Sequence, residues 1–266
     1  MQKFDHVPII RQAMLVAAVA FPAAVQAHTT YGGSARDFGV FDRSGGTTVI
    51  ENQTVSGGFG WADATDSDWG DAHRTRTFKL ELTEVAVVTL TAEAYAGATA
   101  TSIGGLLPGV SIYSGLFHET GGADYDHAQA TLDWQAANGL NHVEGALNAL
   151  GDFAMGNDAG DLSYLTYVGN VADGSASNFG GADGIHGDGL ADGVVTGMWT
   201  LGPGSYSIVI GGADYALQTL ESTPYPAYGL RATLSVSAVP EPETYAMMLA
   251  GLGLLGALAR RRSQKR

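Results

Sequence analysis

The fold of this chain is decided by residues 78–94, which read FKLELTEVAVVTLTAEA. Residues 78–82 alternate between apolar and polar side chains, with the period of two that is typical of a half-buried strand. Residues 85–94 are rich in β-branched and apolar side chains, which predicts a central strand. Only Thr83 and Glu84 separate the two segments, so we predict that they form a hairpin.

Further strands are predicted on both sides of this stretch, separated by Gly- and Pro-containing turns. In the last of them Leu230, Ala232, Leu234 and Val236 are spaced to face the core. Two short helices are predicted at 127–134 and 142–150. The predicted strands, besides 78–82 and 85–94, are 47–51, 110–113, 162–168, 194–201, 205–210 and 229–238. Many short strands and few helices predict an all-β fold, an antiparallel β-sandwich.

The order and spacing of segments 78–82, 109–114 and 200–210 resemble bacterial pre-peptidase C-terminal domains. Those modules are small jelly-roll sandwiches, so the resemblance implies a jelly-roll-like body with large insertions at 115–193. The insertions contain a long Gly/Asp-rich loop at 169–193. Loops of this length are usually functional, ion-ordered or mobile.

The N-terminus has the pattern of a secretory signal peptide. Lys3 and Arg11 precede an apolar stretch, and Val25-Gln26-Ala27 places small residues where a signal peptidase cuts. We therefore predict a signal peptide at 1–27, cleaved after Ala27, with the Sec translocon and signal peptidase as partners. The exported domain is then 28–238.

The C-terminus, 239–266, joins Val239, Pro240, Glu241 and Pro242 to an uncharged apolar run at 244–259 and to the basic cluster Arg260, Arg261 and Arg262. This order resembles the PEP-CTERM sorting signal of exported bacterial proteins. The resemblance implies a single transmembrane helix at 244–259, transient attachment to the inner membrane, and processing by an exosortase near Pro-Glu-Pro. An ordinary C-terminal anchor is the alternative. Both interpretations place the body outside the inner membrane, at the cell surface or in the extracellular space.

The exported domain is strongly acidic, with 24 Asp and Glu against 6 Lys and Arg, a net charge of −18. Binding nucleic acid requires basic surface, so nucleic acid is excluded as a partner. Cysteine is absent, which excludes a disulfide framework, a thiol nucleophile and thiolate metal ligands. Stability therefore depends on the apolar core and on any bound ions.

Acidic clusters make calcium the candidate cofactor, since Ca²⁺ takes six to eight oxygen ligands. The first cluster is Asp63, Asp66, Asp68 and Asp71, and the second is Asp183, Asp188 and Asp192. The first lacks the spacing of an EF-hand loop, and the second lacks a sustained nine-residue repeat of the calcium β-roll kind. The alternative is that these residues form turns, which Asp and Gly favour.

Two further ligand hypotheses follow from the sequence. Trp61 and Trp69 lie in a polar segment and are candidates for stacking on sugars. His28 would become the mature N-terminus, where an amine and an imidazole on one residue suit copper. No Gly-x-Ser-x-Gly or His-Glu-x-x-His motif is present, and we predict no enzymatic activity. The predicted function is a structural or adhesive one at the surface or in the extracellular matrix, with extracellular polysaccharide as a candidate partner. The alternatives are a carbohydrate-binding module and a secreted polysaccharide-active enzyme.

Overall fold

The computed structural model describes residues 29–63, 68–118, 129–143, 145–157, 159–239, 251–252 and 255. Helices are short and strands dominate these ranges. The strands are β1 (Asp37–Phe41), β2 (Gly46–Ser56), β3 (Trp69–Asp71), β4 (Arg76–Leu82), β5 (Ala86–Ala94), β6 (Pro108–Ser114), β7 (Ala146–Asn148), β8 (Phe153–Gly156), β9 (Leu162–Ala172), β10 (Val194–Leu201), β11 (Gly204–Gly212) and β12 (Ala227–Ala238), and the helices are α1 (Gln129–Ala137) and α2 (Leu217–Leu220).

The long strands form two open sheets. One has the order β1-β4-β11-β6-β9-β8 and the other β10-β5-β12-β2, while β3 and β7 form a separate pair. Neighbouring strands run antiparallel, apart from β1 and β4, which are parallel. The chain is therefore mostly β, as predicted, and its two sheets face each other as the layers of a sandwich do.

The core between the sheets is built by the period-two pattern of the strands. Leu90 of β5, Ile208 of β11 and Leu234 of β12 are completely buried in one apolar cluster that takes residues from both sheets. The predicted inward residues Leu230, Ala232, Leu234 and Val236 all belong to it. Alternation along β12 thus correctly predicted which of its side chains enter the core between the sheets.

The predicted hairpin at Thr83 and Glu84 is wrong. β4 and β5 lie in different sheets, so this short turn carries the chain across the core. The backbone N–H of Thr83 instead donates to Phe41 O of β1 at 2.9 Å. Alternation specifies which face of a strand is buried but not which strand lies beside it, and both partners of β5 come from distant segments.

Of the two predicted helices, only the first has a counterpart, α1 at Gln129–Ala137. The second, at 142–150, is wrong, because Ala146–Asn148 forms β7 and pairs with β3. A Cβ atom at Gly145 would lie 2.1 Å from the ring of His73. The two segments therefore approach closely at Gly145, whose carbonyl oxygen accepts from Ala72 N at 2.8 Å.

A second apolar cluster lies on the outer side of the six-stranded sheet. It contains Trp61, Tyr113 and Phe153, and also Phe179 and Ile185 from the Gly/Asp-rich loop. The strand β9 extends to Ala172, so the loop is shorter than predicted. Its buried apolar residues attach it to the body.

Most of the predicted processing signals lie outside the described residues: Ala27, Pro240, Glu241, Pro242, Arg260, Arg261 and Arg262. The same holds for most of the predicted membrane segment 244–259, of which Gly251, Leu252 and Leu255 are described, as exposed helical residues. Among the residues that are described, none belongs to a helix long and apolar enough to cross a membrane.

Candidate functional site

A cavity of about 470 Å³ opens beside β3, where four separate chain segments meet. Its walls combine aromatic rings with acidic, basic and amide side chains. The lining residues are Phe59, Gly60, Ala62, Asp63, Trp69, Gly70, Asp71, Arg74, Asn141, His142, Val143, Ala146, Gln218 and Tyr225. Ligand sites in proteins are commonly concave and have volumes of about 300–1,000 Å³, so this cavity is the candidate site.

The floor of the cavity is fixed by backbone hydrogen bonds around β3. Asp71 N donates to Gly60 O at 2.8 Å, and Asp63 N donates to Trp69 O at 2.6 Å. A Cβ atom at Gly70 would lie 2.2 Å from the carbonyl oxygen of Trp61. Only glycine allows this approach, which places Trp69 and Asp71 on either side of the contact and toward the cavity.

Two aromatic arrangements line the cavity. The ring of Trp69 stacks on His142, with centroids 4.0 Å apart and an interplanar angle of 24°. The guanidinium of Arg74 lies 4.3 Å from the ring centroid of Phe59 and 3.9 Å from that of Tyr225. Such cation–π contacts restrict the arginine. The aromatic walls are therefore held in place before any ligand arrives.

The polar groups of the cavity are already partly paired. Asp71 accepts from the Nδ1 of His73 at 2.8 Å and lies 3.1 Å from Nε of Arg74. Burial alone would raise the pKa of Asp71, but the hydrogen bonds and positive charge of His73 and Arg74 outweigh it and lower that pKa. This carboxylate therefore stays ionised.

Two buried polar atoms of lining residues have no hydrogen-bond partner among the described residues, Arg74 Nη1 and Gln218 Oε1. The other end of the Gln218 amide donates to Asp63 Oδ2 at 3.0 Å. Buried polar groups in native proteins are nearly always satisfied by protein, water or ligand. The cavity therefore offers a ligand one unmatched hydrogen-bond donor and one unmatched acceptor.

The two predicted stacking residues have different environments. Trp61 is completely buried, and its Nε1–H donates to Ser111 Oγ at 2.8 Å. Its ring therefore belongs to the core and has no face for a sugar, which corrects the prediction for this residue. Trp69 is also largely buried, yet it lines the cavity, and only this tryptophan is positioned to affect a ligand.

The first predicted calcium cluster is not assembled by its described members. Asp63 is bonded to Gln218, and Asp71 is paired with His73 and Arg74. The backbone oxygen of Asp68 accepts from Ala149 N at 2.6 Å. The fourth member, Asp66, lies outside the described residues. The guanidinium of Arg74 lies beside Asp71 and would repel a metal ion bound at this carboxylate.

The second cluster has the geometry of loop turns. Asp183, Asp188 and Asp192 are exposed, and Asp188 Oδ1 accepts from Leu190 N at 3.0 Å. The buried carboxylate that orders this loop is Asp173, whose Oδ2 accepts a hydrogen bond from Gly193 N at 2.7 Å. Burial raises the pKa of Asp173. Across the described ranges, no three His, Asp or Glu side chains meet in a group that could hold a metal ion, so calcium has no support there. His28, the copper candidate, lies outside them.

Most lining residues of the cavity were not predicted from the sequence as parts of one site, among them Arg74, His142, Gln218 and Tyr225. None belongs to a recognisable motif, and they are far apart in the chain. The single available signal was local: Arg74 follows the acidic and tryptophan-rich segment at 61–73. The other three reach the cavity only through the packing of distant segments.

Comparisons with known proteins identify one sequence motif. The PEP-CTERM protein-sorting motif matches residues 238–263, which confirms the resemblance of the tail. The chain is therefore an exported precursor of the kind that an exosortase processes at the membrane. The resemblance of the body to pre-peptidase C-terminal domains is not confirmed, and among curated proteins none matches the chain.

Solved structures that are similar to this chain include two of low sequence identity. One is CorA, a surface-associated copper-binding protein of Methylomicrobium album BG8, with 16% identity and a TM-score of 0.40 over 76% of this chain and 96% of that one. The other is the secreted protein MopE of Methylococcus capsulatus, in which an oxidised tryptophan facilitates copper binding. It has 16% identity and a TM-score of 0.38 over 77% of this chain and 87% of that one.

Proposed function

We propose that this chain is an exported, exosortase-processed surface protein that holds a neutral extracellular polysaccharide in the cavity beside β3. Its role would then be structural or adhesive. The observation that carries the proposal is that one open cavity combines aromatic walls with both hydrogen-bond donors and acceptors. The sorting motif supports the location, and the cavity supports the ligand class.

A sugar ring suits such a cavity for two reasons. Its C–H face is apolar and packs on aromatic rings such as Tyr225, while its hydroxyl groups both donate and accept hydrogen bonds. Asp63 and Asp71 provide acceptors, Arg74 provides donors, and the amides of Asn141 and Gln218 provide both. The volume of about 470 Å³ has room for a short stretch of polymer that enters from the open side.

The charge of the cavity favours a neutral polymer over an anionic one. The single arginine, Arg74, is already paired with Asp71, and Asp63 adds a second carboxylate. The exported domain as a whole carries −18. An anionic polysaccharide would be repelled by this field, whereas a neutral one would not be affected by it.

The same arrangement favours binding without turnover. Glycoside hydrolysis requires one carboxyl group that is protonated near neutral pH. The pKa of Asp71 is lowered by His73 and Arg74, so this residue is unsuited to be that acid. We propose a binding protein, in which the ionised Asp71 accepts hydrogen bonds from the ligand.

We further propose that the sandwich is a jelly roll. The chain crosses between the two sheets repeatedly, from β2 to β4, β5 and β6, and again from β9 to β10, β11 and β12. Jelly rolls are double-sheet folds of eight strands with Greek-key connections. Eight long strands arranged in this way support the proposal, with β1, β3, β7 and β8 as additions.

The test is calorimetric titration of the full chain with neutral oligosaccharides chosen from a glycan array. Tyr225→Ala should weaken binding about tenfold, because truncating a central aromatic contact commonly costs more than 1 kcal/mol. The matched control is Tyr164→Ala, since Tyr164 is 66% exposed and does not line the cavity. Unchanged affinity of the Tyr225 variant would refute the site.

Two further outcomes bear on the ligand class. Preferential retention of acidic polysaccharides on the array would contradict the charge argument. If titration with Ca²⁺ or Cu²⁺ alone releases heat and no glycan binds, the ligand is a metal ion and not a polysaccharide. Circular dichroism of each variant tests whether its fold is intact.

A further inference from the structure

The side-chain amide of Gln218 has a fixed orientation at the cavity beside β3. Its Nε2 donates to Asp63 Oδ2 at 3.0 Å, and a carboxylate accepts hydrogen bonds without donating any. The amide oxygen, Oε1, therefore faces away from Asp63. This oxygen is buried and receives no hydrogen bond within the described parts of the chain. Because buried polar atoms of native proteins nearly always have a partner, a ligand N–H or O–H group would complete this place.

The guanidinium of Arg74 has the complementary need. Its Nε lies 3.1 Å from Asp71 Oδ2, and its Cζ lies over the rings of Phe59 and Tyr225. Ring faces stabilise the positive charge, but they provide no oxygen that accepts from an N–H group. Nη1 is buried and has no acceptor among the residues that the structure describes. A ligand oxygen would satisfy this nitrogen.

This combination of needs restricts the chemistry of the ligand. A carboxylate would accept from Arg74 Nη1, but it has no hydrogen to donate to Gln218 Oε1. It would also be repelled by the carboxylates of Asp63 and Asp71, which line the same cavity. An ammonium group would donate to Gln218, but Arg74 would repel it. A neutral amide carries one N–H and one C=O, so it completes both atoms without adding charge.

Burial of the two atoms favours an amide that projects from the sugar ring. A hydroxyl group ends at the atom bonded to its ring carbon, whereas an acetamido group reaches farther and ends in a methyl group. The side chain of Arg74 is 17% exposed, so a small rotation of its guanidinium opens Nη1 to such a group. The rings of Phe59 and Tyr225 provide an apolar wall for the methyl. An acetamido group thus suits both the covered polar atoms and the aromatic wall.

A peptide also contains neutral amides, but the backbone at the cavity floor does not favour one. β3 pairs with β7 along one edge. On the other edge Asp71 N donates to Gly60 O at 2.8 Å, and Trp69 O accepts from Asp63 N at 2.6 Å. Peptides commonly bind as an added strand at a free sheet edge. An extended peptide would have to displace these bonds to pair with β3, whereas a sugar leaves them intact.

We propose that the polysaccharide held in this cavity contains N-acetylated amino sugars, and that the acetamido group is bound by Arg74 and Gln218. Its N–H donates to Gln218 Oε1, and its carbonyl oxygen accepts from Arg74 Nη1. The proposal rests on the proposed function, since it specifies the sugar for the same cavity. N-acetylation also keeps the polymer neutral, which suits an exported domain with a net charge of −18.

The test is calorimetric titration of the full chain in mild detergent with three oligosaccharides of the same linkage and length. They are oligomers of N-acetylglucosamine, glucose and glucosamine, which differ only in one ring substituent. The N-acetylglucosamine oligomer should bind at least about tenfold more tightly than the glucose oligomer, because the glucose oligomer leaves buried polar atoms unpaired. Titration at several salt concentrations separates binding by charge from binding by the acetamido group.

Substitutions of the two contact residues should remove the preference for the N-acetylated sugar. Gln218→Met keeps the length of the side chain but lacks the amide, so its affinities for the N-acetylglucosamine and glucose oligomers should become similar. Arg74→Lys keeps a positive charge and lacks Nη1, and should reduce the preference likewise. The matched control is Gln129→Met. Gln129 is an exposed residue of α1 whose amide also donates to a carboxylate, Asp133 Oδ1 at 2.9 Å, and it does not line the cavity.

The outcomes distinguish this proposal from the proposed function. If wild type binds the glucose and N-acetylglucosamine oligomers equally, and Tyr225→Ala weakens both, the acetamido contact is wrong and the polysaccharide site stands. If no neutral oligosaccharide binds, both proposals fail. Tightest binding of the glucosamine oligomer, weakened by salt, would show that the carboxylates select a cation and would overturn the acetamido contact. Tighter binding of an uncharged oligopeptide would assign the cavity to a peptide. Circular dichroism tests whether each variant is folded.

Discussion

Replacing Trp61 by Phe should destabilise the fold while leaving the cavity intact. Trp61 is completely buried, and its indole N–H donates to Ser111 Oγ at 2.8 Å. The hydroxyl of Ser111 in turn donates to Ala149 O at 2.7 Å. Phe lacks the indole N–H and has a smaller ring. The hydroxyl of Ser111 therefore loses one buried hydrogen bond, and a cavity forms in the second apolar cluster.

The two losses can be estimated separately. A buried polar group left without its partner costs about 1–3 kcal/mol, and the smaller ring adds about 1 kcal/mol of lost packing. The total is about 2–4 kcal/mol of unfolding free energy. For a domain of about 200 residues this lowers the melting temperature by about 4–16 °C.

Thermal and urea unfolding are best followed by far-ultraviolet circular dichroism, because the substitution removes a fluorescent residue. Trp199→Phe is the matched control, since Trp199 is only partly buried at the side of the main core, and should cost much less. Ser111→Ala combined with Trp61→Phe in a double-mutant cycle should show coupling of about 1 kcal/mol. If Trp61→Phe melts with the wild type, or if it abolishes glycan binding at a temperature where it is folded, the placement of Trp61 in the core is refuted.

Three further predictions address packing, charge and processing. Gly109→Ala should destabilise the fold by about 1–3 kcal/mol, because its Cβ would lie 2.2 Å from the ring of Trp61; Gly202→Ala, with nothing within 4 Å, is the control in the same melting assay. Asp71 has a lowered pKa in the fold, so it stabilises above its unfolded pKa, near 3.8, and that contribution is lost as pH falls through the folded value. Asp71→Asn should therefore melt lower than wild type at pH 7 and approach it below pH 3.8; a constant difference across this range would contradict the charge assignment. Intact mass of the surface form should show a chain cut near Pro-Glu-Pro, and a surface form that retains Arg266 would exclude exosortase processing.

The strands show how far local pattern can predict this fold. The alternation in β11 and β12 correctly identified Tyr206, Ile208, Ile210 and Leu234 as core residues, because burial on one face of a strand is a property of consecutive residues. The same pattern failed at Thr83, since a two-residue turn is compatible both with a hairpin and with a crossing to the other sheet. It failed again at 142–150, where pairing with β3 overrides helix propensity.

The candidate site shows a similar division. Trp61 and Trp69 lie eight residues apart in one polar segment and look equivalent in the sequence. Only packing distinguishes them, since Gly109 leaves room for the ring of Trp61 in the core, while Trp69 stacks on His142 at the cavity. The aspartates of the same segment were predicted to share a cation, yet they pair with His73, Arg74 and Gln218.

By itself the sequence determined the strand faces, the acidic and cysteine-free composition, and the sorting motif at 238–263. Each of these depends only on composition or on residues that are neighbours in the sequence, so it does not require knowledge of the tertiary structure. The tertiary structure alone decided the cavity. Phe59, Arg74, His142 and Tyr225 meet there because strands from distant segments pair across the sandwich.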